Sequence, residues 1–184
     1  MGKSKREKQE TDDTDVPKAK KVKTEDVEEE AVDEDADISL NDSRRWTDLP
    51  YDSKINFTSA IAKPMASKKL SKRLFKLIRK ASKLSRKEHL RIGLKDVQLR
   101  IRKGETGLLV LAGDVTPIEV MCHLPAVCEE KNIPYVYVPL RADISTAVGI
   151  KRPALMVLIK HNKQYEELYN DCQTEIKLLP LPIS

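Results

Sequence analysis

Sixteen lysines and arginines lie between Lys63 and Lys103, and two acidic residues, Glu88 and Asp96, interrupt them. Cations at this density neutralise phosphates, and the counterions released give an affinity that falls steeply with salt. A solvated helix face is the plainer account of such a run. Here the run continues through two helical patterns and the segment between them, which favours contact with RNA or DNA through residues such as Lys68, Lys69, Lys72 and Arg91. Charge alone reads neither sequence nor shape, so specific contacts must come from turns. Gly93, in "RIGLKDVQ", stands just before a helical pattern. Backbone N–H groups there can meet phosphate, Lys95 and Asp96 can reach base edges, and a glycine admits close backbone approach. The same glycine reads equally as an ordinary turn residue.

A second candidate is "ADISTAVGIKRP", residues 142–153, which connects two apolar runs and reads as a loop. Ile144, Ala147, Val148 and Gly149 give it an apolar character unusual for an exposed connection, and Lys151 and Arg152 follow directly. Such a loop can pack against an unstacked base while the two cations hold the adjoining phosphates. Packing back onto the core is the alternative. One Trp, two Phe and five Tyr leave no platform for stacking bases on rings, which argues against the single-strand readers built that way.

Catalytic chemistry finds no support. The glycines spell neither GxGxxG nor a phosphate-cradling Walker loop. Cys122, His123 and Cys128 invite a metal, but on one helix a six-residue spacing puts the two thiols on different faces, and no second Cys/His pair completes a tetrahedral site. They read as buried small hydrophobes. His89, His123 and His161 are scattered, without the spacing of a nucleophile and its base. The expectation is no active site, no metal, no cofactor and no small-molecule substrate.

The elements that would position these residues follow from hydrophobic period. From Ser67 onward, Leu70, Leu74, Leu77, Ile78 and Ala81 make one helix face, with lysines and arginines on the others. A second helix follows Gly93, with Leu94, Val97 and Ile101 inward, and ends at Gly104. "LLVLA" (108–112), "YVYV" (135–138) and "ALMVLI" (154–159) are uninterrupted apolar runs, the mark of strands covered on both faces. Asp114 or Thr116 is placed to cap a helix with Pro117 in its first turn, and Pro125 should bend or restart that helix. A last helix carries Tyr165, Leu168, Tyr169, Cys172 and Ile176 on one stripe. Strands alternating with helices give a sheet between helical layers, an α/β/α sandwich.

The charge is divided along the chain. Residues 1–45 hold 10 Lys/Arg and 15 Asp/Glu, a balance of −5, and the remainder holds 24 and 14, a balance of +10. The acidic blocks cannot bury enough apolar area to offset chain entropy. The expected organisation is a disordered charged tail over 1–55 and one α/β/α RNA-binding domain over 56–184. "PKAKKVK" (17–23) reads as a nuclear import signal or as a charged linker. No run of 18 apolar residues offers a membrane span, the charged N-terminus does not read as a secretory signal, and three cysteines point to a reducing intracellular compartment.

"KPMASKKLSKRLFKLIRKAS", "KGETGLLVLAGDVTPIEVMCHLPAVCEEKNIPYVYVP" and "AVGIKRP" together resemble the kink-turn RNA-binding family of ribosomal and small-nucleolar-RNP proteins, over roughly residues 60–184. The "KRP" and the closing "LLPLP" resemble its H/ACA branch. The resemblance implies an α/β/α sandwich with a mixed sheet of about four strands. It implies that two neighbouring loops grip a bent RNA stem: the helix start after Gly93, and residues 143–149. In the family a Gly-x-Asn-Glu motif reads tandem sheared G·A pairs. Gly93 matches its glycine, Lys95 stands at the asparagine and Asp96 at the glutamate, while Leu99 takes a place where a basic residue is common. Ile144-Ser145 replaces a common Leu-Gly pair. Lysine at position 95 is usual in the H/ACA branch, whose members resemble weaker RNA binders that rely on partner proteins. The implied role is non-catalytic: seating H/ACA guide RNA in the nucleolus beside a separate pseudouridine synthase subunit and small adaptor proteins, for rRNA modification and ribosome biogenesis. In animals a related particle belongs to telomerase. The alternatives are a subunit of another RNP (ribosome, box C/D particle or ribonuclease P) or a protein-interaction scaffold with a basic face.

Overall fold

A computed structural model describes residues 48–180. In chain order the elements are α1 (Tyr51–Ile55), α2 (Lys68–His89), β1 (Leu90–Ile92), α3 (Leu94–Arg102), β2 (Leu108–Ala112), α4 (Leu124–Glu130), β3 (Tyr135–Val138), α5 (Arg141–Val148), β4 (Met156–Ile159) and α6 (Glu166–Lys177). Helix α1 therefore places structure before residue 56, within the stretch expected as tail. Residues 1–47 of the expected tail, with the basic cluster at 17–23, lie outside the described residues.

The four strands form one mixed sheet in the order β1-β4-β2-β3. β4 runs antiparallel to both β1 and β2, and β2 and β3 are parallel. The parallel pair needs a crossover, which α4 supplies. Every residue of β2, β3 and β4 is buried, as uninterrupted apolar runs require when both sheet faces are covered. On one side α2 packs with α5 and α6. On the other, the Lys131 ammonium donates to the Ile101 carbonyl at 2.8 Å and joins the ends of α3 and α4. The architecture is thus the α/β/α sandwich expected. The outer edge of β3 is not bare: Ala66 N–H donates to Tyr137 O at 2.8 Å and Tyr137 N–H to Pro64 O at 2.9 Å.

Helix α2 has the cap its sequence promised, for Ser67 Oγ accepts from Leu70 N–H at 3.1 Å. Leu70, Leu74, Leu77, Ile78 and Ala81 are all buried. The helical path breaks at Ser85 (φ −160°, ψ 100°), and the chain then turns into β1. β1 is three residues long and too short to show a period. The proposed cap at Asp114 or Thr116 is replaced by a short 3-10 turn, Ile118–Val120, with Pro117 before it and no side-chain cap. A separate helix, α4, restarts at Leu124 with a proline in its first turn. No helix among the described residues is long and apolar enough to cross a membrane.

Candidate nucleic-acid interface

The region 142–148, expected as an exposed loop, is helical. α5 ends at Val148, and Gly149 (φ 81°, ψ 38°) closes it in the left-handed conformation that favours glycine. Gly149 N–H and Ile150 N–H both donate to Ser145 O, at 2.9 and 3.0 Å. Ile144, Ala147 and Val148 are core residues, with Ile144 fully buried. Packing into the sandwich removes their side chains from any ligand. What remains exposed is the turn itself: Gly149, Lys151 and Arg152.

Three groups of contacts fix α5. At its start, Asp114 accepts from Arg141 N–H at 2.8 Å. The Lys54 ammonium of α1 grips both carboxylate oxygens of Asp143 at 2.9 Å, with the two side chains only 10% and 11% exposed. Burial raises the Asp143 carboxyl above its ordinary value against the opposing pull of Lys54. Burial likewise raises Asp114, opposed by the hydrogen bond and charge of Arg141. At its end, Ser82 Oγ of α2 donates to Val148 O at 2.7 Å, and Ser145 Oγ accepts from Ala154 N–H at 2.8 Å. The turn 149–153 is therefore held from both sides.

The other candidate, the β1–α3 junction, lies at the same end of the sheet. Gly93 N–H donates to Met156 O at 3.1 Å, four residues past Arg152. Gly93 itself (φ 89°, ψ 159°) caps α3 without a side chain, and space around its missing Cβ is open to 4 Å. Lys95 is exposed in the first turn of α3, and Asp96 beside it accepts weakly from Arg100 Nε at 3.4 Å. Amide N–H groups of a first helical turn have no partners within the helix, so this junction offers donors to an anion.

Four further candidates fall elsewhere. Arg91 is half-buried, with Nε on Glu105 Oε2 at 3.2 Å and Nη1 on the Lys87 carbonyl. It braces the junction from beneath. Lys68, Lys69 and Lys72 are exposed on the first turns of α2. Ser82 marks where that helix meets α5, and the 10 to 14 residues between set these lysines ~15–21 Å away. Cys128 is buried as expected, but Cys122 and His123 are exposed, because the chain between the 3-10 turn and α4 is not one continuous helix. No group of three or more His, Cys, Asp or Glu able to hold a metal occurs among the described residues.

Sequence reasoning missed the braces Lys54, Ser82, Asp114 and Asp143. Their partners lie 27 to 89 residues away, beyond the reach of any local pattern. The polar residues of "ADIST" were a signal, since helix starts and braces need such groups.

A mixed four-stranded sandwich that presents two backbone turns at one sheet end, beside a basic helix, defines a class of small α/β proteins. The profile of the ribosomal protein L7Ae/L30e/S12e/Gadd45 family matches residues 74–169, and the chain belongs to that family. It is similar to H/ACA ribonucleoprotein complex subunit 2 of Drosophila melanogaster, 48% identical over 166 residues that span 90% of this chain and 99% of that protein. The protein of the same name from Pongo abelii is 47% identical over 123 residues, 67% of this chain and 78% of that one. Among solved structures, the Giardia lamblia 15.5kD RNA binding protein superposes with a TM-score of 0.62 at 24% identity, over 66% of this chain and 99% of that one. That likeness concerns the fold.

Proposed function

We propose that this chain is a non-catalytic RNA-binding subunit of an H/ACA small nucleolar ribonucleoprotein. It seats guide RNA for rRNA pseudouridylation by a separate synthase subunit, beside small adaptor proteins, in the nucleolus. One observation carries the reading: the β1–α3 junction and the turn after α5 share one end of the sheet, in a chain aligned over nearly its whole length with a relative named as an H/ACA subunit.

Each turn has a physical part. At Gly93 a phosphate–sugar chain can approach without meeting a Cβ, and the first-turn amides of α3 offer donors. Lys95, Lys151 and Arg152 neutralise phosphates on either side. Asp96 is the acceptor available to base amino groups. Ile144, Ala147 and Val148 act indirectly, by anchoring α5 so that the turn is formed before RNA arrives. Preorganisation of this kind removes an ordering cost from binding.

Photocrosslinking of the full chain to an H/ACA guide RNA tests the site. Crosslinks should map to residues 93–96 and 149–152. Crosslinks confined to residues 1–47 would refute it. Affinity capture tests the particle: a pseudouridine synthase in the eluate supports the reading, and an RNA methyltransferase in its place assigns the chain to a box C/D particle.

A further inference from the structure

Helix α2 carries a second surface, which starts away from the two turns and ends near the one after α5. Lys68, Lys72, Lys76, Arg79 and Lys83 are exposed. At 100° per residue they fall within an arc of about 80°, diametrically opposite the buried Leu70, Leu74, Leu77 and Ala81. Among the described residues none of the five makes an ion pair; of the cations on this part of the helix, only Arg73 does, to Glu175 at 2.7 Å. Lys69 widens the stripe at its start. From Lys68 to Lys83 the stripe rises ~22 Å.

These features select a partner. A protein interface is anchored by aromatic or aliphatic groups at a desolvated centre, and charged residues are depleted there. This stripe has no such anchor; Phe75, at its margin, is half-buried against the core. Single-stranded nucleic acid is held by stacking on exposed aromatic rings, and the one ring near the stripe, Phe75, packs against the core instead. Evenly spaced cations alone suit a regular line of phosphates, and a duplex as long as the stripe carries about a dozen of them. The Ser82–Val148 hydrogen bond places the last third of the helix beside the turn at 149–152.

We propose that the α2 stripe takes the phosphate backbone of the double-stranded stem that flanks the RNA turn held at Gly93 and Gly149. This inference rests on the RNA-binding reading above and assigns Lys68, Lys69 and Lys72 to the stem. Recognition here is by charge and shape, without base contacts.

The test uses the full chain and two RNA hairpins, one with a kink turn and a truncated flanking stem, the other with that stem lengthened by one helical turn. In titrations at ~0.1 M salt the longer stem should tighten wild-type binding about tenfold and steepen its salt dependence. A variant with Lys68→Gln, Lys69→Gln, Lys72→Gln and Lys76→Gln should bind the short hairpin like wild type and lose that gain. Its log–log salt slope on the long hairpin should be shallower by about 3. The pair Lys72→Gln with Lys76→Gln should show about half the loss. Equal gains in variant and wild type, or no gain in wild type, overturn the proposal. So does a variant that keeps the gain but loses a protein partner captured after RNase treatment, since the stripe then belongs to an acidic protein. Failure of wild type to bind even the short hairpin is a different result: it removes the site at the two turns, and this inference with it.

Discussion

At Gly93 the backbone takes φ 89° and ψ 159°, a region that residues with a Cβ enter only under strain. Nothing lies within 4 Å of the position a Cβ would occupy, so Gly93→Ala tests conformation free of any clash. The expected loss is about 1–3 kcal/mol of unfolding free energy, seen as a lower urea midpoint with an unchanged slope. Gly149 (φ 81°, ψ 38°) sits in the milder left-handed helical region. There Gly149→Ala should cost about 1 kcal/mol, and Gly149→Asn clearly less, because asparagine tolerates that region. A larger loss at Gly149 than at Gly93 would contradict this ranking. Gly93 was legible because a glycine between two apolar periodic segments marks a turn. Ile144, Ala147 and Val148 were legible as apolar but not as buried. The surfaces that cover them belong to elements distant in sequence, and an eight-residue helix shows only two turns of period.

Between elements, the joints that place the two turns are polar. α1 meets α5 through Lys54 and Asp143, a pair almost closed to solvent. Removing one partner of a buried pair strands the other's charge, so Lys54→Met should destabilise by about 3 kcal/mol. The double variant Lys54→Met with Asp143→Leu should recover most of that, a coupling that a double-mutant cycle in urea measures. Near-additive losses would show that the pair does not act as a unit. The second joint is Glu105, between α3 and β2, with Arg91 at 3.2 Å, Arg100 at 3.2 Å and Lys160 at 3.9 Å. Burial alone would raise its carboxyl, but the Arg91 hydrogen bond and the charges of Arg91, Lys160 and Arg100 outweigh burial and hold it below its ordinary value. A depressed carboxyl contributes stability that is complete above its ordinary value and is lost as pH falls through the lowered one. Glu105→Gln should therefore be about 0.5 kcal/mol less stable than wild type at pH 7, a small gap because solvent screens the network, and one that closes in acid below that lowered value. A gap that does not change with pH would remove the charge network as its cause. Neither joint could be read from sequence, because α1 falls among polar residues that looked like tail, and Glu105 carries no sign of its three partners.

Across the whole molecule, what the sequence disclosed was its core. Three strands and the long amphipathic helix declared themselves through apolar runs and a 3.6-residue period, and the buried faces agree with both. β1 stayed hidden because three residues cannot display alternation. That the sheet is mixed, with about four strands, followed from the family resemblance; the order β1-β4-β2-β3 did not, since periodicity says nothing about which strands pair. The core these elements build is one connected cluster that contains both Cys128, on the buried face of α4, and Cys172, on the inward face of α6. Burial pushes the Cys128 thiol up to about 12, helped by the charge of Glu129. It pushes the Cys172 thiol up to about 11, with Glu175 adding to the rise and Arg73 opposing it. Cys122 is exposed. A thiol reagent at mildly alkaline pH should therefore modify one cysteine per folded chain quickly and the other two only through opening of the fold, because the thiolate is the reacting species. Since both buried thiols belong to one cluster, they should react at a common rate that climbs with urea in step with global unfolding. If Cys172 is modified well before Cys128 at low urea, α6 opens on its own and the sandwich is not one cooperative unit.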